Sequence, residues 1–281
     1  MFRNAYCTSP LCAPSRAAIV TGQPPHQNGM NGLPGPFLGD WDLGVKERHL
    51  AAVFSRSGFK SVLAGFEHES QDCLSLGFQD VIHGSGSSHN GGESLVGIGS
   101  NIGAWLDQRG PEPFYMQIGC FETHRDWATF ASPFDSKGVW KAPYLIDDPE
   151  IDEEMALMQG ASAALDSGIG EILDAFESRG IDENTVFVFT TDHGLDFPRA
   201  KGTMFDPGIE VFLFVRYAGI GGGRVIDDLA SHTDIYPTLL ELCGISVPDD
   251  TDGLSLLSLL RTDPDRERRD TVYFEKTYHD N

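Results

Sequence analysis

The 281-residue chain has little positive charge and no apolar run that would suit a membrane helix. It carries 20 basic against 42 acidic residues, a formal net charge of -22, and only six of the basic residues are lysines. This excess of negative charge argues against nonspecific binding of nucleic acid, whose phosphates it would repel. No apolar stretch approaches the ~18 residues that a spanning helix needs, so we expect no membrane partner.

The cysteines predict neither a disulfide framework nor a zinc site. Their number is odd, their spacing is irregular, and no Cys-x-x-Cys pair occurs. The first residues, Met-Phe-Arg-Asn-Ala-Tyr-Cys, do not form a secretory signal. The location is therefore undetermined: nothing contradicts the cytoplasm, and a signal peptide lost upstream stays an open alternative. The five cysteines are Cys7, Cys12, Cys73, Cys120 and Cys243.

Apolar patterning predicts strands that alternate with helices, and hence an α/β fold. The strands read as continuous apolar runs, which is typical of strands covered on both faces. We expect a mostly parallel central sheet with helices on both faces and a site at the carboxyl ends of the strands. A glycine-rich segment, His83 to Gly99, is predicted to be a mobile loop within one domain. Helices are predicted over 12–21, 45–57, 101–108, 151–178 and 232–243, and strands over 59–64, 114–120, 185–190 and 211–216.

The most informative segment, Cys12 to Gly22, reads Cys-Ala-Pro-Ser-Arg-Ala-Ala-Ile-Val-Thr-Gly. A nucleophile at a helix amino terminus lies among unpaired N–H groups, which favour an oxyanion. Arg16, one turn later, can point back toward residue 12. The alternative is a structural cysteine at the start of an ordinary helix.

At every defining position this segment resembles the signature of the formylglycine-dependent sulfatases. The resemblance implies an alkaline-phosphatase-like sandwich and oxidation of Cys12 to formylglycine by a maturation enzyme. In that family one hydroxyl of the hydrated aldehyde attacks sulfur, with Arg16 holding the hydroxyls. The substrate class so implied is a sulfate monoester or sulfamate, such as a sulfated sugar. Within the family, the sequence most resembles the heparan N-sulfatase-like group.

Three further segments resemble sulfatase elements and supply candidate catalytic residues. In Gly58 to His68 the glycines and His68 keep the family spacing, but Phe66 replaces the usual lysine. His124, after the strand predicted to end at residue 120, is implied to act on the leaving group or the sulfate, and the alternative is a loop histidine bonded to backbone. Lys201 is implied to bind sulfate, and the alternative is a surface lysine.

The run Thr191-Asp192-His193-Gly194 resembles the metal element of the family. A carboxylate and a neutral donor beside a glycine turn suit a hard divalent cation, so we expect Ca²⁺ or Mg²⁺ at Asp192, His193 and modified Cys12. By itself, Asp-His-Gly would usually be only a turn. The nitrogen donor leaves the identity of the metal open.

Two departures from the family bear on activity. Sulfatases normally have an earlier strand ending in an Asp-Asp pair that supplies half the metal ligands, and they have a smaller carboxyl-terminal subdomain. We expect residues 1–281 to form a single catalytic domain that lacks both, although 271–279 reads like the start of another strand. The alternatives to a sulfatase are a phosphonate or phosphodiester hydrolase and an inactive, anion-binding remnant.

Overall fold

A computed structural model describes residues 1–35, 39–84, 94–131, 138–263 and 268–276. The chain forms two compact units: Met1–Gly58 with His68–Phe78 and Glu183–Asn281, and Phe59–Glu67 with Gln79–Asp182. The single domain over residues 1–281 stays a prediction. The strands are β1 (Phe2–Tyr6), β2 (Lys60–Gly65), β3 (Asp80–Ile82), β4 (Phe114–Gly119), β5 (Phe187–Thr190), β6 (Glu210–Arg216) and β7 (Ile226–Ser231). The helices are α1 (Cys12–Thr21), α2 (Pro25–Asn28), α3 (Leu50–Arg56), α4 (Ile98–Gln108), α5 (Pro149–Glu177), α6 (Asp206–Ile209), α7 (Ile235–Leu242) and α8 (Leu257–Arg261).

The first unit is built on a four-stranded sheet in the order β5-β6-β1-β7. Strand β6 runs antiparallel to β1 and β5, whereas β1 and β7 are parallel. Side chains from β1, α6, β6, β7, α7 and α8, and from residues next to them, form its apolar core. The core residues are Phe2, Ala5, Cys7, Ile209, Val211, Leu213, Ala230, Ile235, Leu256, Leu259 and Leu260.

Strand β6 corrects one expectation. The apolar run at 211–216 predicted a strand covered on both faces, and the strand is present. Its side chains alternate, however: Val211 and Leu213 are buried, whereas Phe212 is 62% exposed and Phe214 is also exposed. In the described residues this sheet therefore presents one aromatic face outward.

The second unit has a parallel sheet in the order β3-β2-β4, with α4 packed against α5. Helix α5 begins where the Asp148 side chain accepts a hydrogen bond from the Glu150 amide, with Pro149 at the first helical position. Both features favour a helix start at this residue. The predicted helices 101–108 and 151–178 are thereby confirmed within three residues at each end.

Other predicted elements differ in detail. The helix predicted over 45–57 is a 3-10 turn, Lys46–Arg48, followed by α3, because His49 adopts a non-helical backbone and caps α3. The helix predicted over 232–243 likewise begins as a 3-10 turn before α7. Residues 271–276 form no strand, and 277–279 lie outside the described residues, as does most of the predicted loop at 83–99.

Strands β1 and β7 were not predicted. β1 has only five residues, including Arg3 and Asn4, and β7 carries two acids, so neither reads as an apolar run. Among the described helices, none has both the length and the apolar character needed to cross a membrane.

Candidate active site

Helix α1 begins at Cys12, as predicted. Its N-cap residue, Leu11, offers no side-chain hydrogen bond to the first backbone amides of the helix. These amides therefore remain available to other groups near the amino end. Cys12 is 7% exposed, and it lies at the positive end of the helix dipole. The helix ends at Gly22, whose φ of +68° is the left-handed conformation that glycine adopts readily.

Strand β5 leads directly into Asp192, His193 and Gly194. A Cβ atom at Gly194 would lie 1.7 Å from the carbonyl oxygen of Pro207, so the close approach of these two backbones requires glycine here. The His193 Nδ1–H donates to the Gly194 carbonyl oxygen over 2.8 Å, which leaves Nε2 pointing away from the turn. The backbone of the Asp-His-Gly segment thus orients the imidazole.

Helix α1 and the segment after β5 meet through their polar side chains. The Cys12 Sγ lies 3.2 Å from the His193 Nε2, and the Arg16 Nε donates to the Asp192 Oδ2 over 3.1 Å. His68 also hydrogen-bonds the Cys12 thiol. The structure therefore brings together five of the predicted site residues, all in the first unit.

The electrostatics of the cluster favour charged side chains. Burial alone would raise the pKa of Cys12, but His193 and His68 lower it well below its usual value. Burial would lower the pKa of His193, but Asp192 and Cys12 raise it to about 9. Despite burial, His193 and Arg16 lower the pKa of Asp192. The His193 imidazolium thus stabilises both the Cys12 thiolate and the Asp192 carboxylate, and they in turn stabilise it.

Lys201 adds positive charge at the same place. Its amino group lies 3.6 Å from Asp196, and its charge lowers the pKa of Asp192. The loop that holds it is fixed to the chain just before α1, because the Gly202 amide donates to the Pro10 carbonyl oxygen over 2.9 Å. A local group of positive charges offsets the repulsion that an acidic chain would exert on an anion.

His124 lies in the second unit. Its Nδ1–H donates to the Arg125 carbonyl oxygen over 2.8 Å, and its ring stacks on Phe121 with centroids 4.4 Å apart. These contacts match the alternative of a loop histidine bonded to backbone. Its role toward a leaving group stays a prediction.

Within the described residues, one group of His, Cys, Asp and Glu side chains meets the distances required to hold a metal ion. Its members are Cys12, Asp192 and His193, whose ligand atoms lie within 4.8 Å of one another. The Cys12 Sγ stands where the oxygens of a formylglycine hydrate would be. With that replacement the set offers oxygens and one fixed imidazole nitrogen, which fits a divalent cation, though it is smaller than the six to eight ligands of Ca²⁺.

Sequence reasoning missed two residues of this site. His232 is fully buried and hydrogen-bonds Ser15 of α1, but the sequence predicted only a helix over 232–243. Glu69, 1% exposed, accepts a hydrogen bond from the His68 amide over 2.8 Å, and its charge acts on Arg16. An acidic residue directly after a predicted catalytic histidine was the available signal for Glu69.

Comparison with known proteins gives a consistent family and fold. The family model described as Sulfatase matches residues 1–245. Human N-sulphoglucosamine sulphohydrolase is 24% identical, over 100% of this chain and 62% of its own length. An ulvan-active sulfatase of Formosa agariphila is 26% identical, over 96% and 60%. The chain thus spans about three fifths of these relatives.

Solved structures confirm the α/β, alkaline-phosphatase-like fold. A protein in complex with its substrate D-glucosamine-2-N,6-O-disulfate superposes with a TM-score of 0.77 at 18% identity, covering 98% of this chain and 76% of that one. A phosphonate monoester hydrolase from Silicibacter pomeroyi gives a TM-score of 0.68 at 18% identity, covering 95% and 71%. At sequence identities this low, the structural similarity shows the fold alone.

Proposed function

The chain belongs to the sulfatase family, and we propose that it hydrolyses a sulfate monoester or sulfamate of a sulfated sugar. The names of its relatives support this substrate class: one is a sulphohydrolase of N-sulphoglucosamine, and another is active on ulvan. A protein of the same fold binds a disulfated glucosamine as its substrate. The resemblance of the sequence to heparan N-sulfatase-like members agrees with the first of these names.

One observation carries the proposal: the side chain of residue 12 lies at the start of α1 between His193 and His68, with Asp192 and Arg16 adjacent. We propose that Cys12 is converted to formylglycine by a maturation enzyme. The hydrated aldehyde supplies a nucleophilic hydroxyl and a second hydroxyl that helps release sulfate. Arg16 and His68 orient and polarise these hydroxyls, because both already act on the Cys12 thiol.

The remaining residues bind and neutralise charge. We assign Asp192, His193 and the modified residue 12 to a divalent cation, Ca²⁺ or Mg²⁺, which when bound lowers the negative charge around the sulfate. Lys201 is assigned to a sulfate oxygen. His124 is proposed as the general acid for the leaving group, on its family-like position after β4.

The proposal is tested by coexpressing the chain with a formylglycine-generating enzyme. Peptide mass spectrometry should find formylglycine at position 12, and an aryl sulfate should be hydrolysed. Cys12→Ala should abolish turnover, while Cys73→Ala, a partly buried cysteine of the same unit, should leave it unchanged. Turnover by the Cys12→Ala variant would remove the nucleophile assignment.

A second candidate, a phosphonate monoester hydrolase, is favoured by the fold shared with the enzyme from Silicibacter pomeroyi. Aryl sulfate and aryl phosphonate esters compared side by side distinguish the two activities by their kcat/KM. A converted Cys12 with no turnover of either ester would instead identify the inactive, anion-binding remnant.

A further inference from the structure

A short chain of hydrogen bonds, centred on the buried side chain of His232, runs beside the candidate active site. His232 is fully buried, and its two ring nitrogens contact different elements: Nδ1 lies 3.0 Å from the Ser15 hydroxyl, and Nε2 lies 3.0 Å from the Thr190 hydroxyl. Ser15 in turn donates to the Asp192 carbonyl oxygen over 2.5 Å, and Thr190 donates to the Phe212 carbonyl oxygen over 2.6 Å.

The ends of this chain belong to the two segments that build the site. Ser15 lies on α1, between Cys12 and Arg16 and within one turn of each. Thr190 ends β5, two residues before Asp192. His232 therefore ties the start of the nucleophile helix to the segment that presents Asp192 and His193, although it contacts neither the thiol nor the carboxylate itself.

We propose that His232 is a positioning residue, which holds α1 in register with the end of β5 so that residue 12 stays within reach of His193 and Asp192. The catalytic consequence of this role rests on the proposed function, whereas its structural consequence does not. A displacement of about 1 Å at reacting groups is enough to cost on the order of 100-fold in rate. The contacts that fix this register are two 3.0 Å hydrogen bonds, of which the one to Ser15 is buried and the one to Thr190 is partly buried. Losing either contact removes one of the partners of that hydroxyl.

His232 directly follows β7, a strand of the same sheet as β5, so its contact to Ser15 alone still ties α1 to that sheet. This contact is therefore the one that matters for the nucleophile. Two substitutions separate it from the contact to Thr190. Asparagine places a polar atom one bond beyond Cγ, as Nδ1 is placed, whereas glutamine places it two bonds beyond, as Nε2 is placed. His232→Asn therefore keeps the Ser15 contact, and His232→Gln keeps the Thr190 contact.

The control is Thr238→Val. Thr238 is also buried, its hydroxyl donates to the Asp234 carbonyl oxygen, and it accepts from the Leu256 amide over 2.8 Å. This variant loses buried hydrogen bonds in the same region of the first unit without touching Ser15 or Thr190. Urea unfolding of all three variants establishes how much global stability each has lost.

Two readouts test the proposal on the full 281-residue chain. Hydrogen exchange, followed by peptide mass spectrometry, should show at least about tenfold weaker protection of residues 12–21 in His232→Gln only. In the matured chain, kcat for an aryl sulfate should fall between about 10- and 100-fold in His232→Gln with little change in KM, and within about threefold in His232→Asn.

The exchange readout does not depend on catalysis, so a chain without sulfate ester turnover refutes the proposed function and still tests His232. Wild-type protection of residues 12–21 in His232→Gln would overturn the positioning role. Equal losses in His232→Asn and His232→Gln, or an equal loss in Thr238→Val, would also overturn it, because any buried defect would then have the same effect.

Discussion

Arg16 and Asp192 form an ion pair whose removal from one side gives a quantitative test of the site. Both side chains are mostly buried, at 21% and 23% exposure, with the Nε and Oδ2 atoms 3.1 Å apart. Arg16→Met deletes the cation and leaves the Asp192 carboxylate beside His193 and Lys201 only. Breaking a buried pair from one side costs about 3 kcal/mol in the free energy of unfolding, and we expect that loss here.

The second part of this prediction concerns a divalent cation. Two unit charges about 4 Å apart interact by about 4 kcal/mol at an effective dielectric constant of 20, so Arg16 opposes cation binding at Asp192. Arg16→Met should therefore tighten Ca²⁺ binding by at least about tenfold, which corresponds to about 1.4 kcal/mol. Added Ca²⁺ should then recover much of the lost stability, because a ligand that binds only the folded state stabilises it.

The assay is urea unfolding with and without Ca²⁺, and Arg48→Met is the matched control. Arg48 is also mostly buried, at 9% side-chain exposure, but its partner Asp250 is 71% exposed and keeps its hydration when the arginine is lost. The control should be destabilised without any recovery by Ca²⁺. Equal recovery of both variants, or no greater Ca²⁺ affinity in Arg16→Met, would refute the assignment of the cation to Asp192.

Three further predictions concern single side chains. Burial lowers the pKa of His49 to about 4, below its usual 6.5, so its contribution to stability is complete above pH 6.5 and is lost as the pH falls toward 4. Between pH 7 and pH 5, urea unfolding should therefore show a loss of stability that is about 2 kcal/mol larger in the wild-type chain than in His49→Asn, which keeps the cap of α3. Lys201→Met should raise KM for an aryl sulfate about tenfold, because a charged hydrogen bond to the sulfate is lost. The control is Lys141→Met, which should leave KM unchanged, since Lys141 has the same 19% side-chain exposure but lies in the second unit. Equal KM values in the two variants would remove Lys201 from the sulfate site. Glu69→Gln keeps an acceptor for the His68 amide but removes a charge that acts on Arg16. It should therefore lower kcat for an aryl sulfate without unfolding the chain. An unchanged kcat would restrict Glu69 to a structural role.

Much of the site was predictable because its residues lie where local sequence determines local structure. Pro14 and Gly22 delimit α1 from either end, and its observed bounds equal the predicted ones. The apolar run before Asp192 predicts a strand, and Gly194 follows because only glycine allows the approach of Pro207. In these cases each feature depends on residues within a few positions of it.

The remaining parts depend on partners distant in sequence. Ser15 and His232 are 217 positions apart, and no periodicity relates them. Strand β1 is stabilised by pairing with β6 and β7 on both sides rather than by its own apolar content, so its five residues gave no signal. The sequence could not predict that Phe212 is exposed, because a run of apolar residues does not specify which face of the strand is covered.

The Ser15–His232–Thr190 chain has a further consequence in the direction of its hydrogen bonds. Its outer acceptors, the carbonyls of Asp192 and Phe212, can only accept, so both hydroxyls would have to donate outward and both ring nitrogens would have to donate to the hydroxyls. Burial lowers the pKa of His232 to about 4, so at neutral pH the ring carries one proton rather than two. The four hydrogen bonds therefore have only three protons available. The tautomer of His232 determines whether the bond that cannot form is on the Ser15 side or on the Thr190 side. The backbone at Asp192 is in this way coupled to a proton position in a residue that is 40 positions away in the sequence.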